Sequence, residues 1–350
     1  MNQLDFKLLK RISETPGVSG FEQKIRELII QEVKNYVDEV SLDNMGNVYA
    51  LRKGKSREKM MLAAHMDEIG FIVNHIDENG FIHFLTLGGF DPKTLTAQRV
   101  ILHGKQDVIG VMGSKPVHLM SDEEKKKNVK VEDFFIDVGM VKEEVEKYIE
   151  IGTPITRERE LIEMGGCFNG KSLDNRISVY VLIETLKQLK DQNLPNDLYA
   201  VFTVQEEVGI RGAQVATQKI QPDFGIAIDT TIAFDVPGSK PQEQITRMGE
   251  GTAIKILDSS AIVDYRMSKY LKEIAKKKSI KWQPELMSKG GTDTAMVQRM
   301  TKKGSIAGAI SIPTRHIHQV IESVNKNDVI QSISLLKEAV LTINENNWEF

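Results

Sequence analysis

Residues 60–68 read Met-Met-Leu-Ala-Ala-His-Met-Asp-Glu, an apolar run that stops at a histidine followed closely by two carboxylates. A short run of this kind fits a central strand buried on both faces, with His65 at its end. Upstream, Leu4, Leu8, Leu9 and Ile12 recur at helical spacing until Pro16 and Gly17 interrupt them. Ser19 and Glu22 read as a capping box for a second helix, whose buried stripe is Ile25, Leu28, Ile29, Val33 and Val37. Asn44-Met45-Gly46-Asn47 reads as a turn, Gly46 supplying a positive φ.

Downstream the pattern changes. From Gly70 to about Pro154 the segments FIVNHI, GFIHFLTL, RVILHG, VIGVMG and FFIDVG are brief strand candidates between glycine-bearing or charged turns. Ser121–Asp133 reads as a solvated helix or loop capped by Ser121 and Glu124. After Asp174 helix and strand signals alternate: a helix face at Val179, Leu182, Ile183, Leu186 and Leu189, strands at Leu198–Val204, Phe224–Ile228, Thr252–Leu257 and Ile306–Ile312, and a last helix over Asp328–Ile343. The expected fold is therefore α/β: a helix-flanked mixed sheet with a small barrel-like β-domain inserted.

The chain has 350 residues, 41% hydrophobic and 27% charged, which exceeds one ordinary core and excludes general disorder. A net charge of −3 gives no global attraction to nucleic acid or to an anionic membrane, and the lysine runs at 125–127 and 276–278 lack aromatic interleaving. The single cysteine, Cys167, cannot form an internal disulfide. With no signal-peptide core and no long apolar run, the expectation is a cytoplasmic protein without a membrane partner.

The functional signal lies where strands end. His65 and Asp67 follow one strand candidate, Glu206-Glu207 a second, Asp229 a third and His318 a fourth; Asp174 precedes a helix. Open α/β sheets assemble sites at such ends. Taken singly, each residue has a plain structural alternative. His65 and Asp67 also fit a local hydrogen-bonded turn, Asp174 a helix N-cap, Asp229 a turn, and Glu206-Glu207 a solvated acidic pair. Cys167 lacks a local histidine partner, and Gly165-Gly166 beside it reads as a turn.

Taken together, Ala64-His65-Met66-Asp67-Glu68, Asn169-Gly170-Lys171-Ser172-Leu173-Asp174-Asn175-Arg176, Gln205-Glu206-Glu207-Val208-Gly209, Ile228-Asp229-Thr230 and Arg315-His316-Ile317-His318 resemble the tetrahedral, or deblocking and glutamyl, aminopeptidase family of dinuclear metallo-exopeptidases. The resemblance spans nearly the whole chain. It implies that His65, Asp174, Glu207, Asp229 and His318 bind two divalent ions, with Asp174 bridging. Glu206 corresponds to the catalytic acid/base, and Asp67 to the group that supports His65. Zinc or cobalt suits this donor set, and manganese is admissible.

The same resemblance implies a peptidase domain over 1–68 and 164–350, and an inserted β-domain over 69–163 that serves oligomerisation and access control. The partners it implies are short peptides with a free N-terminus and further copies of the chain, built from dimers into a tetrahedral dodecamer. Two positions depart from the pattern: His316 stands where tyrosine is common, and Gln319 where a small hydroxyl residue is common. Gly290-Gly291-Thr292-Asp293 resembles the family's active-site loop. A metal-dependent deacylase or carboxypeptidase, or a metal-stabilised peptide-binding oligomer, remains as an alternative reading.

Overall fold

The computed structural model describes residues 4–350; residues 1–3, at the start of the expected first peptidase segment, lie outside the described residues. Four parallel strands form the centre of an 11-stranded sheet. Ser56–His65 lies between Asn196–Thr203 and Phe224–Ile232, and Ile306–Arg315 follows on the far side of Phe224–Ile232. Antiparallel strands extend both edges, and Thr252–Leu257 pairs with Ile306–Arg315. Side chains alternate along the first strand. Met60, Leu62 and Ala64 enter the larger core, whereas Met61 and Ala63 enter a smaller core on the opposite face. Burial of both faces explains why the run is apolar without alternation.

Helix Leu173–Leu189 covers the larger core and is buried along most of its length, so it contributes far more than the five-residue face read from periodicity. The opening helices are Phe6–Glu14 and Gln23–Val33; the second stops before Val37, which packs against the core from beyond the helix end. The expected Ser19–Glu22 capping box does not form, because Glu22 makes no side-chain cap and its carboxylate accepts instead from Gly20 N and Gln205 N. Gly46 does take a positive φ of 97° in its turn, which the Asp43 carboxylate closes by accepting from three successive backbone amides.

The inserted element is a closed barrel of six strands: Gly70–Ile76, Ile82–Leu87, Phe134–Asp137, Asp107–Ser114, Arg99–His103 and Pro154–Arg157. Five of them contain the strand candidates, and Pro154–Arg157 closes the cylinder. Phe71, Val100, Leu102, Met112, Ile136 and Ile155 lie in its own core. Closure leaves no unpaired sheet edge. Ser121–Asp133 forms two short 3-10 turns in place of a helix, and Ser121 and Glu124 cap each other reciprocally.

Candidate metal centre

The parallel register brings the dispersed residues together. Thr203 is paired with His65 and Asp229 with Ser311, so the carboxyl ends of the four central strands open on one side of the sheet. Asp174 has non-helical backbone angles at the start of its helix, and its peptide bond to Asn175 is cis. Its amide donates to Glu322 Oε2 at 2.8 Å and its carboxylate faces the cleft. Among the described residues no backbone amide donates to the Asp174 carboxylate, whose oxygens face the two histidines instead, so the N-cap alternative fails.

One oxygen of that carboxylate, Oδ1, lies 3.4 Å from His65 Nε2, and the other, Oδ2, lies 3.3 Å from His318 Nε2. Asp229 approaches His65 Nε2 at 3.7 Å, and Glu207 approaches His318 Nε2 at 3.3 Å. Two overlapping groups, His65–Asp174–Asp229 and Asp174–Glu207–His318, each bring ligand-type atoms within 4.8 Å of one another. The two groups partition the five candidates and share Asp174. Divalent cations fit this donor set. The carboxylates repel one another in a buried site, and the buried Glu207 Oε1 has no hydrogen-bond partner among the described residues.

Asp67 holds more than His65. Its Oδ1 lies 3.4 Å from His65 Nδ1, and its two oxygens accept from Glu206 N and Glu207 N at 3.0 and 3.2 Å. Ser19 Oγ donates to the same carboxylate at 2.6 Å. These bonds hold its carboxyl below the ordinary range although burial pushes it up. Glu206 belongs to neither ligand-type group. Its Oε2 stands 3.8 Å from His65 Nε2, and burial drives its carboxyl well above the usual range, with neighbouring Asp229 and Glu207 adding to the effect. A carboxylate so placed holds a proton more tightly than an ordinary glutamate, which suits acid/base work.

A cavity of about 740 Å3 reaches all five ligand-type residues and Glu206. Ile232, Phe234 and Ile317 contribute to its walls, as do Gly290 and Gly291. Exposed His316 lines it without joining either ligand-type group. Sequence reasoning missed three supporting residues. Glu322 accepts from the amides of both Asp174 and His318, buried Asp293 accepts from Thr203 Oγ1 at 2.5 Å, and Arg157 donates to Gln319 O. Only Asp293, in its glycine-rich loop, lay in a segment that the sequence singled out.

Residues 165–172, Gly-Gly-Cys-Phe-Asn-Gly-Lys-Ser, also spell a phosphate-loop pattern, but they build no phosphate cradle. Cys167–Gly170 is a strand, and the buried Lys171 ammonium is committed to Glu68 at 2.5 Å. Cys167 lies in that strand, its thiol pushed up by burial.

A mixed sheet with an inserted barrel, and two ligand-type groups sharing a carboxylate, define a dinuclear metallohydrolase. The family model described as M42 glutamyl aminopeptidase matches residues 46–335, and the chain belongs to that family. It is a metal-dependent aminopeptidase acting on peptides through a dinuclear site. The chain is 37% identical to the lysyl aminopeptidase of Pyrococcus furiosus, over 95% of this chain and 96% of that one. The crystal structure of a TET aminopeptidase from a marine sediment Thaumarchaeota archaeon superposes with a TM-score of 0.93 at 37% identity, covering 96% and 95% of the two chains. The Pyrococcus horikoshii TET1 peptidase, described as assembling into a tetrahedron or a large octahedral shell, superposes at 0.86 with 30% identity, covering 96% and 98%.

Proposed function

We propose that this protein removes N-terminal residues from short peptides with a free amino terminus, with Glu206 as acid/base. His65 and Asp229 would hold one ion and Glu207 and His318 the other, with Asp174 common to both groups. The observation that carries this reading is the Asp174 carboxylate turning one oxygen to each histidine. Zinc or cobalt suits two imidazoles among carboxylates, and manganese is tolerated by the same donors. Such ions, when bound, polarise a carbonyl and lower the pKa of water.

The chain's own groups do the rest. Glu206 takes the proton of the attacking water and returns it to the departing amine, since its raised affinity for protons suits both steps. The Asp67 backbone carbonyl, 3.2 Å from Nδ1 of His65, together with its carboxylate at 3.4 Å, keeps that nitrogen occupied, which leaves Nε2 for the ion. The cavity wall at Ile232, Phe234 and Ile317 offers the substrate apolar contact.

The protein acts as a homo-oligomer, a tetrahedral dodecamer built from dimers, in the cytoplasm. Leu85, Ile109 and Val111 stand exposed on the barrel exterior and support an association surface there. The test is metal reconstitution combined with a panel of N-terminal amino-acid amides and one peptide with free and acetylated ends. Cleavage of the free-ended peptide, dependent on added ion, is expected. Preferential cleavage of the acetylated peptide would favour a deacylase, and ion uptake without any hydrolysis would favour a peptide-binding protein.

A further inference from the structure

The two halves of the centre are held differently. His65, Asp174 and Asp229 all come from the peptidase sheet and its covering helix. The Glu207–His318 half leans on the barrel. A Cβ added at Gly88 would lie 3.4 Å from Glu207 Cβ, and one added at Gly89 would lie 3.4 Å from His318 Nδ1.

The loop that presents His318 is itself unusual. His316 and His318 have φ of 65° and 59°, a region that non-glycine residues rarely enter. Such backbone persists only where its surroundings fix it. Three hydrogen bonds do so. Gln319 N donates to His316 O at 3.1 Å, His318 N donates to Glu322 Oε1 at 3.1 Å, and Arg157 Nη1 donates to Gln319 O.

Only the last of these bonds comes from the barrel. Arg157 ends the closing strand Pro154–Arg157 and is 1% exposed. Its guanidinium lies 6.0 Å from the Phe90 ring centroid, and Phe90 in turn stacks on Phe71 in the barrel core. Nε and Nη2 have no hydrogen-bond partner among the described residues. Burying a guanidinium this way is unfavourable for the fold taken alone. What the group contributes is the bond to Gln319 and positive charge beside Glu322.

We propose that Arg157 is a positioning residue for the metal centre. By fixing the Gln319 carbonyl it orients His318 to complete one ion site with Glu207, so the barrel sets the affinity of that ion alone. The inference rests on the ligand assignment given under Proposed function.

Metal-free protein titrated with Zn2+ or Co2+ by calorimetry tests it. The wild type takes up two ions. Arg157→Met keeps one affinity and weakens the other about 10- to 100-fold, and excess ion restores activity. Arg157→Lys, which keeps a charge and one donor but loses the planar fork, weakens the same ion about three- to tenfold. In a Glu207→Ala background, which retains a single ion, Arg157→Met changes nothing further. Unchanged affinities in folded Arg157→Met overturn the proposal. So does equal weakening of both ions, or an effect that survives the Glu207→Ala background. Should Arg157→Met not fold, the lysine variant decides by the same criteria. A wild type that binds no ion would instead sink the ligand assignment.

Discussion

Asp67 shows how much one carboxylate at a strand end can organise. It orients His65 and also anchors the backbone of both Glu206 and Glu207, tying a ligand, a base and a second ligand to one group. Asp67→Asn keeps the size but converts one acceptor oxygen into a donor. Ion affinity is expected to fall about 10- to 100-fold, measured by competition with a chelating dye. Glu206→Gln is expected to lower turnover about 100- to 10,000-fold while both ions stay bound; single-turnover kinetics beside metal analysis checks it, and unchanged chemistry removes Glu206 from the mechanism. The histidines add a pH signature. In the ion-free chain burial lowers the His318 pKa, but Glu207 and Asp174 outweigh it and hold it at about 11. His65 is likewise raised well above its ordinary value. Ions must displace those protons, so affinity should climb with pH from 6 to 9 and loading should release protons. Calorimetry in two buffers of different ionisation enthalpy reads that release, and its absence would contradict protonated ion-free histidines.

At the scale of elements, the sheet was legible because burial of both faces forces continuous apolar strands. The helices were legible where one face is apolar, and the barrel through short strands of alternating burial. The Ser19–Glu22 pair was misread because its spacing is that of a capping box, whereas tertiary contacts recruit Ser19 to Asp67 and Glu22 to Gln205. Glu68 illustrates a similar long-range demand. It is fully buried between Lys171 and Arg176 and also accepts from Gly17 N at 3.2 Å, joining the segment after Ser56–His65, the long helix and the N-terminal segment. Burial raises its carboxyl, but the two cations prevail and hold it at about 2. Glu68→Gln should cost about 3–5 kcal/mol at pH 7, because it strands two buried cations. The folded pKa is depressed, so the wild-type advantage is complete above about pH 4.5 and shrinks as pH falls toward 2. Urea unfolding across that range checks it; a gap that does not depend on pH would mean the loss is one of packing.

Across the whole molecule, the barrel exposes Leu85, Ile109 and Val111 on its exterior and stands against one half of the catalytic cleft. Ile109, 61% exposed, points away from a closed core that does not need it. Ile109→Asp should leave the fold intact and shift the protein to a smaller species in light scattering; an unchanged mass would place the association surface elsewhere. By itself, the sequence determined the α/β class and the inserted β-domain, because strand burial leaves local marks. It placed His65, Glu207, Asp229 and His318 after strands, while their selection with Asp174 as a ligand set came from the family resemblance. Only the tertiary structure decided that Asp174 turns an oxygen to each histidine, that His65 groups with Asp229 and His318 with Glu207, and that Glu322 and Arg157 stand behind them. Those facts depend on the register of parallel strands and on contacts between residues more than a hundred positions apart, and no local pattern encodes which distant side chains will share a pocket.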